Sequence, residues 1–597
     1  MDPQAGTFHF SPRPNRADEV RWREWGEAAF AEAAAADKPV LLGISAVWCH
    51  WCHVMDETSY SDDDVIRLAN ERFIPIRVDN DERPDVNRRY NMGGWPTTAF
   101  LMPDGEPIHG GTYIPPEQMR HLLEEVADLW ADRRDELVAR AEALRAKEAQ
   151  AKAVAPGDLS PEIVDAVGAV IRGQYDPEFG GFGRQPKFPQ PRLLRFLLDE
   201  FRRHADPAVA AMVQKTRAAM AGGGMYDHVE GGFFRYSTDR EWSVPHFEKM
   251  LEDNSELLAL YAEAHRTFPD AGYDRIVRDV MRWMDAVLWT ESGSGGAFAG
   301  SQDADEHYFA LGASERTKHE VPYVDRTIYT SWNALAATAY LTAALALDDT
   351  KPRERALAVL RTIAVRMRAS DGTLLHYDRG QGAALADLLN DHAALLTALL
   401  DAVEADASSE VLGAALALAV RLEGHLGDPA VGAWWDAPAR QAPGRLAKRE
   451  KPIEDGAVVA GAFLRLAALT GDERWRERAT QGLRLFVGEY KQWGQFASAY
   501  AGAVASTLSP PIAVTVVGRR GDPVADALWR VARASDDPQL LARQRFDPDR
   551  EGARIASLGY PVLRAAAYVC VGTVCSAPLL TAPDLIAELG RARLRTA

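Results

Sequence analysis

Lys38-Pro-Val-Leu-Leu-Gly-Ile-Ser-Ala46 is a short apolar run, and Trp48-Cys49-His50-Trp51-Cys52-His53-Val54-Met55 follows one residue later. The run reads as a buried strand, and the residues around Cys52 begin a helical pattern. Two cysteines therefore sit at a strand-to-helix turn. A thiol there faces unpaired N–H groups and the positive end of the helix dipole, which lowers its pKa and favours the thiolate. Cys49 is the expected nucleophile and Cys52 the resolving thiol.

Further along lie a second strand, Phe73 to Val78, an acidic turn at Asp79 to Asp81, and the stretch Gly93-Gly94-Trp95-Pro96-Thr97-Thr98. A strand at Ala99 to Met102, a turn at Pro103-Asp104-Gly105 and a long helix over 116–150 complete the unit. Strand, CxxC and helix in this order are thioredoxin-like, and Pro96 falls where that fold sets a cis-proline loop against the thiols. Two departures stand out. Gly43 occupies the place of the usual buried acid six residues before the first cysteine, and His50-Trp51 replaces Gly-Pro between the cysteines. Active exchange and a retired or structural pair both remain open. Cys49-x-x-Cys52-His53 also matches a c-type haem attachment site, but that needs an exported chain, and the preceding strand already explains the motif. Cys49, His50, Cys52 and His53 cannot all converge on one Zn or Cu ion from a single helix start.

The whole chain has 597 residues, too many for one ordinary domain. Hydrophobic residues make up 47% and charged residues 26%, a globular composition. Lys and Arg number 68 against 86 Asp and Glu, a formal charge of −18, which argues against nucleic acid as partner. The start of the chain shows no apolar leader, and no stretch approaches the roughly 18 apolar residues of a membrane span. A cytoplasmic protein is expected, and there a persistent disulfide is transient or catalytic.

From about 158 to 508 the pattern is helical only, beginning with Ser160 as N-cap and Pro161 at the first helical position. Candidate helices fall near 191–204, 207–221, 245–268, 272–290, 331–347, 352–369, 384–405, 409–425, 455–470, 472–490 and 497–507. Short links at 205–206, 269–271, 348–351, 406–408 and 471 alternate with long ones at 174–190, 222–244, 291–330, 370–383 and 426–454. Phe179-Gly-Gly-Phe182, Gly231-Gly-Phe233-Phe234 and Gly295-Gly-Ala-Phe298 recur in the long links. A repeated hairpin with every long loop at one end implies a closed (α/α)6 toroid of six hairpins, its cavity ringed by those loops.

The chemistry-bearing residues collect there. Val244-Pro245 is expected to start a helix on which His246 and Asp253 share a face. Asp303 and Asp305 lie in the third long loop, and His376 in a later one. Opposed carboxylates suit glycoside hydrolysis, and paired histidines suit proton abstraction and return at a sugar carbon. Expected catalytic residues are thus Cys49, Cys52, His246, Asp253 and Asp303. Expected binding residues are Pro96, Asp227, His228, Arg235, Trp242, Glu248, Asp305, Trp332, Asn333, Asp391 and Asp455. Gly-Gly-aromatic turns can equally serve only to join helices.

Together these motifs resemble the thioredoxin-domain proteins of the bacterial YyaL type and their animal relative, spermatogenesis-associated protein 20. The carriers are Cys49-His-Trp-Cys-His-Val-Met55, Val78-Asp-Asn-Asp-Glu-Arg-Pro-Asp85, Gly94-Trp-Pro-Thr-Thr98 and Gly111-Thr-Tyr-Ile-Pro115. They continue through Pro186-Lys-Phe-Pro189, Val244-Pro-His-Phe-Glu-Lys-Met-Leu251, Asp303-Ala-Asp305, Thr330-Ser-Trp-Asn333 and Tyr568-Val-Cys570. The resemblance implies a thioredoxin-like domain on a six-hairpin toroid similar to N-acylglucosamine 2-epimerases, and the family has no agreed reaction. The chain departs from it after Asp305, which runs directly into Glu306-His-Tyr-Phe309 where relatives carry a Ser-Glu-Gly-rich stretch and a long insertion.

Residues 509–597 read as a small α/β unit: a strand at Ile512 to Val517, a helix at 522–534, a strand at Ala567 to Cys570 and a helix at 581–594. Cys570 and Cys575 read first as buried strand thiols, with a second redox or metal pair as the alternative. The expected architecture is multidomain: an α/β thioredoxin-like domain over 1–150, an all-α (α/α)6 toroid over 151–508, and an α/β unit over 509–597. The leading expectation is a toroid that binds, and isomerises or hydrolyses, a sugar-like ligand. One alternative is a thiol–disulfide oxidoreductase whose toroid holds a protein thiol substrate; another is a non-catalytic assembly protein. No cofactor or metal is called for.

Overall fold

The computed structural model describes residues 8–149, 155–293, 295–405, 409–561 and 564–596. The boundary expected at 150/151 and the link at 406–408 lie outside them.

The first unit runs α1 (Glu27–Ala36), β1 (Val40–Ser45), α2 (His50–Glu57), α3 (Asp63–Arg72), β2 (Ile74–Asp79), α4 (Pro84–Tyr90), β3 (Thr97–Leu101), β4 (Pro107–Gly111) and α5 (Pro116–Ala149). The sheet order is β2-β1-β3-β4, with β1 and β2 parallel and the other pairs antiparallel. Side chains alternate across β1. Leu41 packs with Met55, Val65 and Phe100 on one face, while Val40, Leu42 and Ile44 join Ile76, Val78 and Leu101 on the other. The unit is thioredoxin-like, and the Trp95–Pro96 peptide is cis.

Helices then follow in pairs. They are α6 (Pro161–Gln174), α7 (Pro191–His204), α8 (Pro207–Gly222), α9 (Leu251–Thr267), α10 (Tyr273–Trp283), the short α11 (Glu306–Ala310) and α12 (Ala313–Arg316), and α13 (Thr330–Leu347). After them come α14 (Thr350–Arg366), α15 (Leu389–Glu404), α16 (Ser409–Leu426), α17 (Ile453–Thr470), α18 (Arg474–Arg484) and α19 (Ser498–Leu508). Helices α7, α9, α13, α15, α17 and α19 pack in succession, and α19 returns to α7, closing an inner ring. An outer helix backs each of them: α8 on α7, α10 on α9, α14 on α13, α16 on α15, α18 on α17 and α6 on α19. This is the expected (α/α)6 toroid.

The structure departs from expectation at three places. Helix α9 starts at Leu251, not near 245, because Pro245–His246 pairs with Tyr236–Ser237 and Lys249–Met250 pairs with Ser301–Gln302. The segment stays extended because the buried Lys249 ammonium is drawn onto Asp227 Oδ2 at 2.6 Å and the Gly231 carbonyl at 2.9 Å. His246 and Asp253 therefore share no helix face. The middle region is also not purely helical, since short strands such as Leu375–Asp378 line the long links. Ser160 precedes α6 without a side-chain cap bond.

Two of the Gly-Gly-aromatic turns, Phe179–Phe182 and Gly231–Phe234, and the related Gly432-Ala-Trp434 turn are structural knots, whereas Gly295–Phe298 is a strand paired with Trp289–Ser292. Asp176 holds Lys187 at 2.8 Å, Asp227 holds Lys249 at 2.6 Å and Asp428 holds Lys451 at 2.7 Å. In each, the aspartate N–H donates to a carbonyl five residues on, and the glycine N–H at the fourth position donates back. Gly180, Gly231 and Gly432 have positive φ, which glycine adopts without steric cost.

The C-terminal unit is a sheet ordered Leu540–Phe546, Ile512–Val517, Ala566–Val571, Val574–Cys575, flanked by α20 (Pro523–Ala534), α21 (Pro548–Ser557) and α22 (Ala582–Thr596). Its sheet rests on α15 and α17, where Arg543 binds Glu404 at 2.9 Å. The thioredoxin-like unit covers the opposite end, where the inner helices start. Among the described residues no helix is long and apolar enough to cross a membrane.

Candidate functional site

The inner helices present their second and third residues at the mouth of the ring: Glu252 and Asp253 on α9, Ser331 and Trp332 on α13, Asn390 and Asp391 on α15, Glu454 and Asp455 on α17. The fourth residues of α9 and α13 are braces. Asn254 Nδ2 donates to the Phe233 and Met250 carbonyls, both at 2.9 Å, and Asn333 repeats this with Phe298 and Tyr329 at 3.0 Å.

Several mouth residues fasten the thioredoxin-like unit. Asp391 holds His376 Nδ1 at 2.8 Å, and His376 Nε2 donates to the Asp81 carbonyl at 2.8 Å. Both ring nitrogens thus act as donors; burial opposes the imidazolium, but Asp391 and that carbonyl raise its pKa above the ordinary value. Arg379 pairs with Glu82 and Arg440 with Asp85. Arg89 binds Asp436 at 2.6 Å and Arg88 binds Asp455 at 3.3 Å. The acidic run from Val78 to Asp85 is accordingly a docking strip.

Arg235 reaches from the toroid over Trp48, 4.1 Å from the ring centre, and Trp95 at 5.1 Å. Its charge acts on Asp81, Glu248 and Asp253. His246 Nδ1 lies 3.0 Å from Glu248, stacks on Tyr236 at 4.8 Å, and approaches the His50 ring at 6.2 Å. Burial would raise Glu248, yet His246 and Arg235 hold it below the usual carboxylate range.

Other carboxyls are lifted instead. Burial, with Glu256 and Asp253 beside it, pushes Glu252 to about 8. Burial outweighs Arg235 and brings Asp253 to about 7. Asp303 also reaches about 7 through burial, against one bond from the Ala304 N–H. Among the described residues Glu252 and Asp253 carry neither an ion pair nor a side-chain hydrogen bond. Burial likewise takes Asp81 to about 6, although Trp48 Nε1 donates to it at 2.6 Å.

Cys49 and Cys52 are disulfide-bonded. Cys49 caps α2, its sulfur accepting the Cys52 N–H at 3.2 Å. The pair is only 4% and 2% exposed, because it joins the same buried cluster as the toroid. A side chain at Gly43 would meet the Tyr60 hydroxyl at 3.3 Å and the Trp22 ring at 3.4 Å, leaving no room there for an acid. The nearby carboxyl is the toroid's: Asp303 Oδ2 lies 3.7 Å from His53 Nδ1. His53 Nε2 bonds the Val47 carbonyl at 2.9 Å, and burial, with His9 beside it, lowers His53 to about 4.

A cavity of about 380 Å³ opens between the carboxyl ends of β1 and β2 (Ser45, Asp79) and Tyr323, Asp325, Tyr377 and Arg379 of the toroid. Trp25 Nε1 and His9 Nε2, on residues of its wall, are buried with no hydrogen-bond partner among the described residues.

The structure thus gathers Cys49, Cys52, His246, Asp253, Asp303, Arg235, Glu248 and Pro96 with its neighbour Trp95 around one seam. Others have different work. Asp227 sits in a turn knot with Lys249 and Arg316. His228 bonds the Gly223 carbonyl at 3.0 Å from an exposed turn. Trp242 is fully buried over Lys187, Asp305 caps α11 through the Tyr308 N–H, and Trp332 packs on Tyr329. Asn333, Asp391 and Asp455 brace or dock. The residue missed was Glu252. Its signal was present: Glu252, Asp253 and Glu256 form a like-charged cluster at a helix start, which solvation alone does not explain.

Residues 13–148 match a family model of DsbH-type thioredoxin-like proteins, described as a protein of unknown function, DUF255. Mouse spermatogenesis-associated protein 20 is 35% identical over 312 residues, 48% of this chain and 39% of that protein. An uncharacterized Caenorhabditis elegans protein gives 35% over 312 residues, covering 48% and 41%. The chain spans about two fifths of the length of the curated relatives it matches. Among solved structures, a D-mannose isomerase aligns with TM-score 0.47 and 11% identity over 59% of this chain and 99% of that one. A sugar epimerase from a ruminal bacterium aligns with TM-score 0.45 and 13% identity over 55% and 85%. The resemblance carried by the motifs therefore holds: the chain is similar to spermatogenesis-associated protein 20, with a DsbH-type thioredoxin-like domain on a helical toroid.

Proposed function

We propose that the chain binds a small polyhydroxylated, sugar-like molecule where the thioredoxin-like unit meets the ring, and moves protons on it. The units are assigned to residues 1–150, 151–508 and 509–597. The observation that carries the reading is the carboxyl set at the mouth. Among the described residues Glu252 and Asp253 form no ion pair, and burial pushes them to about 8 and 7, so near neutral pH each can donate or accept a proton. Asp303 at about 7 supplies a third, and His246, steadied by Glu248, a further base. Arg235 offers a planar donor. Proton abstraction and return at a sugar carbon, an isomerisation, is the chemistry that needs such groups.

The test is a thermal-shift panel of sugars and sugar phosphates on the full chain and on Asp253→Asn and His246→Ala. A ligand at 100 times its Kd stabilises the native state by about 2.7 kcal/mol. A ligand whose shift both variants abolish is expected; no shift, or one indifferent to both substitutions, overturns the reading.

A second reading rests on Cys49 capping α2, the placement for thiol–disulfide exchange. At 4% and 2% exposure the pair serves a molecule small enough to enter the seam, and a protein thiol only if the units part. Alkylation trapping in graded redox buffers tests it: a pair that never cycles between dithiol and disulfide near cytosolic poise removes it.

A further inference from the structure

Far from the toroid mouth, the C-terminal sheet ends in a tight hairpin, Ala566–Val571 returning as Val574–Cys575. Cys570 stands directly opposite Cys575 and is bonded to it. Cys575 was expected as a buried strand thiol, but it lies on the sheet edge and is exposed. Cys570 is 8% exposed, and neighbouring Val574 is 73% exposed.

The hairpin does not depend on its bridge. The Ser576 N–H donates to the Val569 carbonyl at 2.9 Å, and the Val569 N–H to Ser576 Oγ at 3.1 Å. The Ala567 and Leu579 backbones exchange two further bonds, and Ala566–Val571 keeps six paired positions with Ile512–Val517. A bridge across so short a loop removes little entropy from the unfolded chain. It can open and close without disturbing the sheet.

We propose that Cys570–Cys575 is a solvent-facing thiol–disulfide exchange site for small thiols, separate from the buried Cys49–Cys52 pair. A thiolate RS⁻ attacks the Sγ of Cys575, the exposed sulfur, and the S–S bond breaks with Cys570 leaving as the thiolate. A second RS⁻ attacks the sulfur of R in the mixed disulfide, forming RSSR and releasing the Cys575 thiolate. Both protein thiolates take up the protons that the two RSH lost. The balance is two RSH oxidised to RSSR and one protein disulfide reduced to a dithiol. Direction of attack follows exposure, since exchange rates depend on which sulfur is reachable.

The probe is glutathione. Oxidised full-length protein is incubated in a graded glutathione series, quenched with acid, alkylated and mapped. Cys570–Cys575 is expected to open at about tenfold lower glutathione than Cys49–Cys52, with the adduct on Cys575. In a Cys49→Ser/Cys52→Ser background, Cys575 left alone by Cys570→Ser is expected to label about tenfold faster than Cys570 left alone by Cys575→Ser. Simultaneous opening of the two pairs, the adduct on Cys570, or the reverse labelling order overturns the proposal. So does a melting temperature lowered by more than about 5 °C in Cys570→Ser/Cys575→Ser, which would make the bridge a structural staple.

Discussion

Cys49–Cys52 and Cys570–Cys575 are the same bond in opposite settings. The first stands at a helix start, in a motif that reads as reactive, yet the toroid covers it. The second joins a strand to a sheet edge, in a motif with no reputation, and meets solvent. Local chemistry sets what a thiol can do, but which molecules reach it is decided by neighbours distant in the chain. His376, Arg379 and Arg235, all from the toroid, keep the first pair shut away.

That contrast can be broken most forcefully at Asp391. In Asp391→Ala the His376 imidazolium is left buried without its carboxylate, and such a loss costs about 3–5 kcal/mol. A large fall in the denaturation midpoint is expected, with faster alkylation of reduced Cys49 and Cys52 and unchanged labelling of Cys575. A variant as stable as wild type would remove His376 as the fastening.

The next effect is in pH. His376 has a raised pKa in the folded protein, so its contribution is fully present below the unfolded value of 6.5 and is lost as pH rises through the folded one. Asp253 and Asp303, raised from 3.8 to about 7, favour the folded state when protonated; that advantage declines as pH climbs from about 4 to about 7. Both work in the same direction, so the docked state weakens from acid to mildly alkaline pH. Asp253→Asn is expected to flatten the carboxyl part of the profile and to stabilise the protein at pH 8 by ~1–3 kcal/mol. Melting curves across pH check this, and an unaltered slope would refute the burial of that carboxyl.

Arg235→Leu is expected to cost about 1–2 kcal/mol from the lost cation–ring contacts. It would also raise Asp253 further, by removing the positive charge that opposes its shift. Thermal melting and carboxyl titration by NMR read the two effects separately. The smallest effect belongs to Trp51→Ala. Trp51 lies between the cysteines but is 45% exposed, so a change within about 0.5 kcal/mol is expected. Alkylation of Cys49 and Cys52 should not quicken; a clear rise would mean that Trp51 belongs to their cover.

Much of the frame was legible because its signals are local. The strand before Cys49 is apolar from Val40 to Ile44, and the alternation of short and long links fixed the hairpins of the ring. The failures arose where a distant partner overrode local preference. Val244 to Met250 looked like a helix start, but Lys249 is held by Asp227, twenty-two residues earlier. Asp227, Asn333 and Trp242 are the residue types that bind sugars and equally those that close turns and brace helices. Only their partners tell the two uses apart. Glu252 was passed over because adjacent acids at a helix start ordinarily serve the dipole.

The Asp–Lys knots in the first, second and fifth long links bear on how such a ring can change. Each fold-back is completed by residues within a few dozen positions of one another, with its own glycine and its own buried ring. The groups that face the mouth, such as Glu252, Asp253 and Trp332, take no part in those knots. Scaffold and recognition are thus written in different letters of the same repeat. A descendant could exchange Glu252, Asp253 and Trp332, and with them its ligand, while its hairpins closed as before.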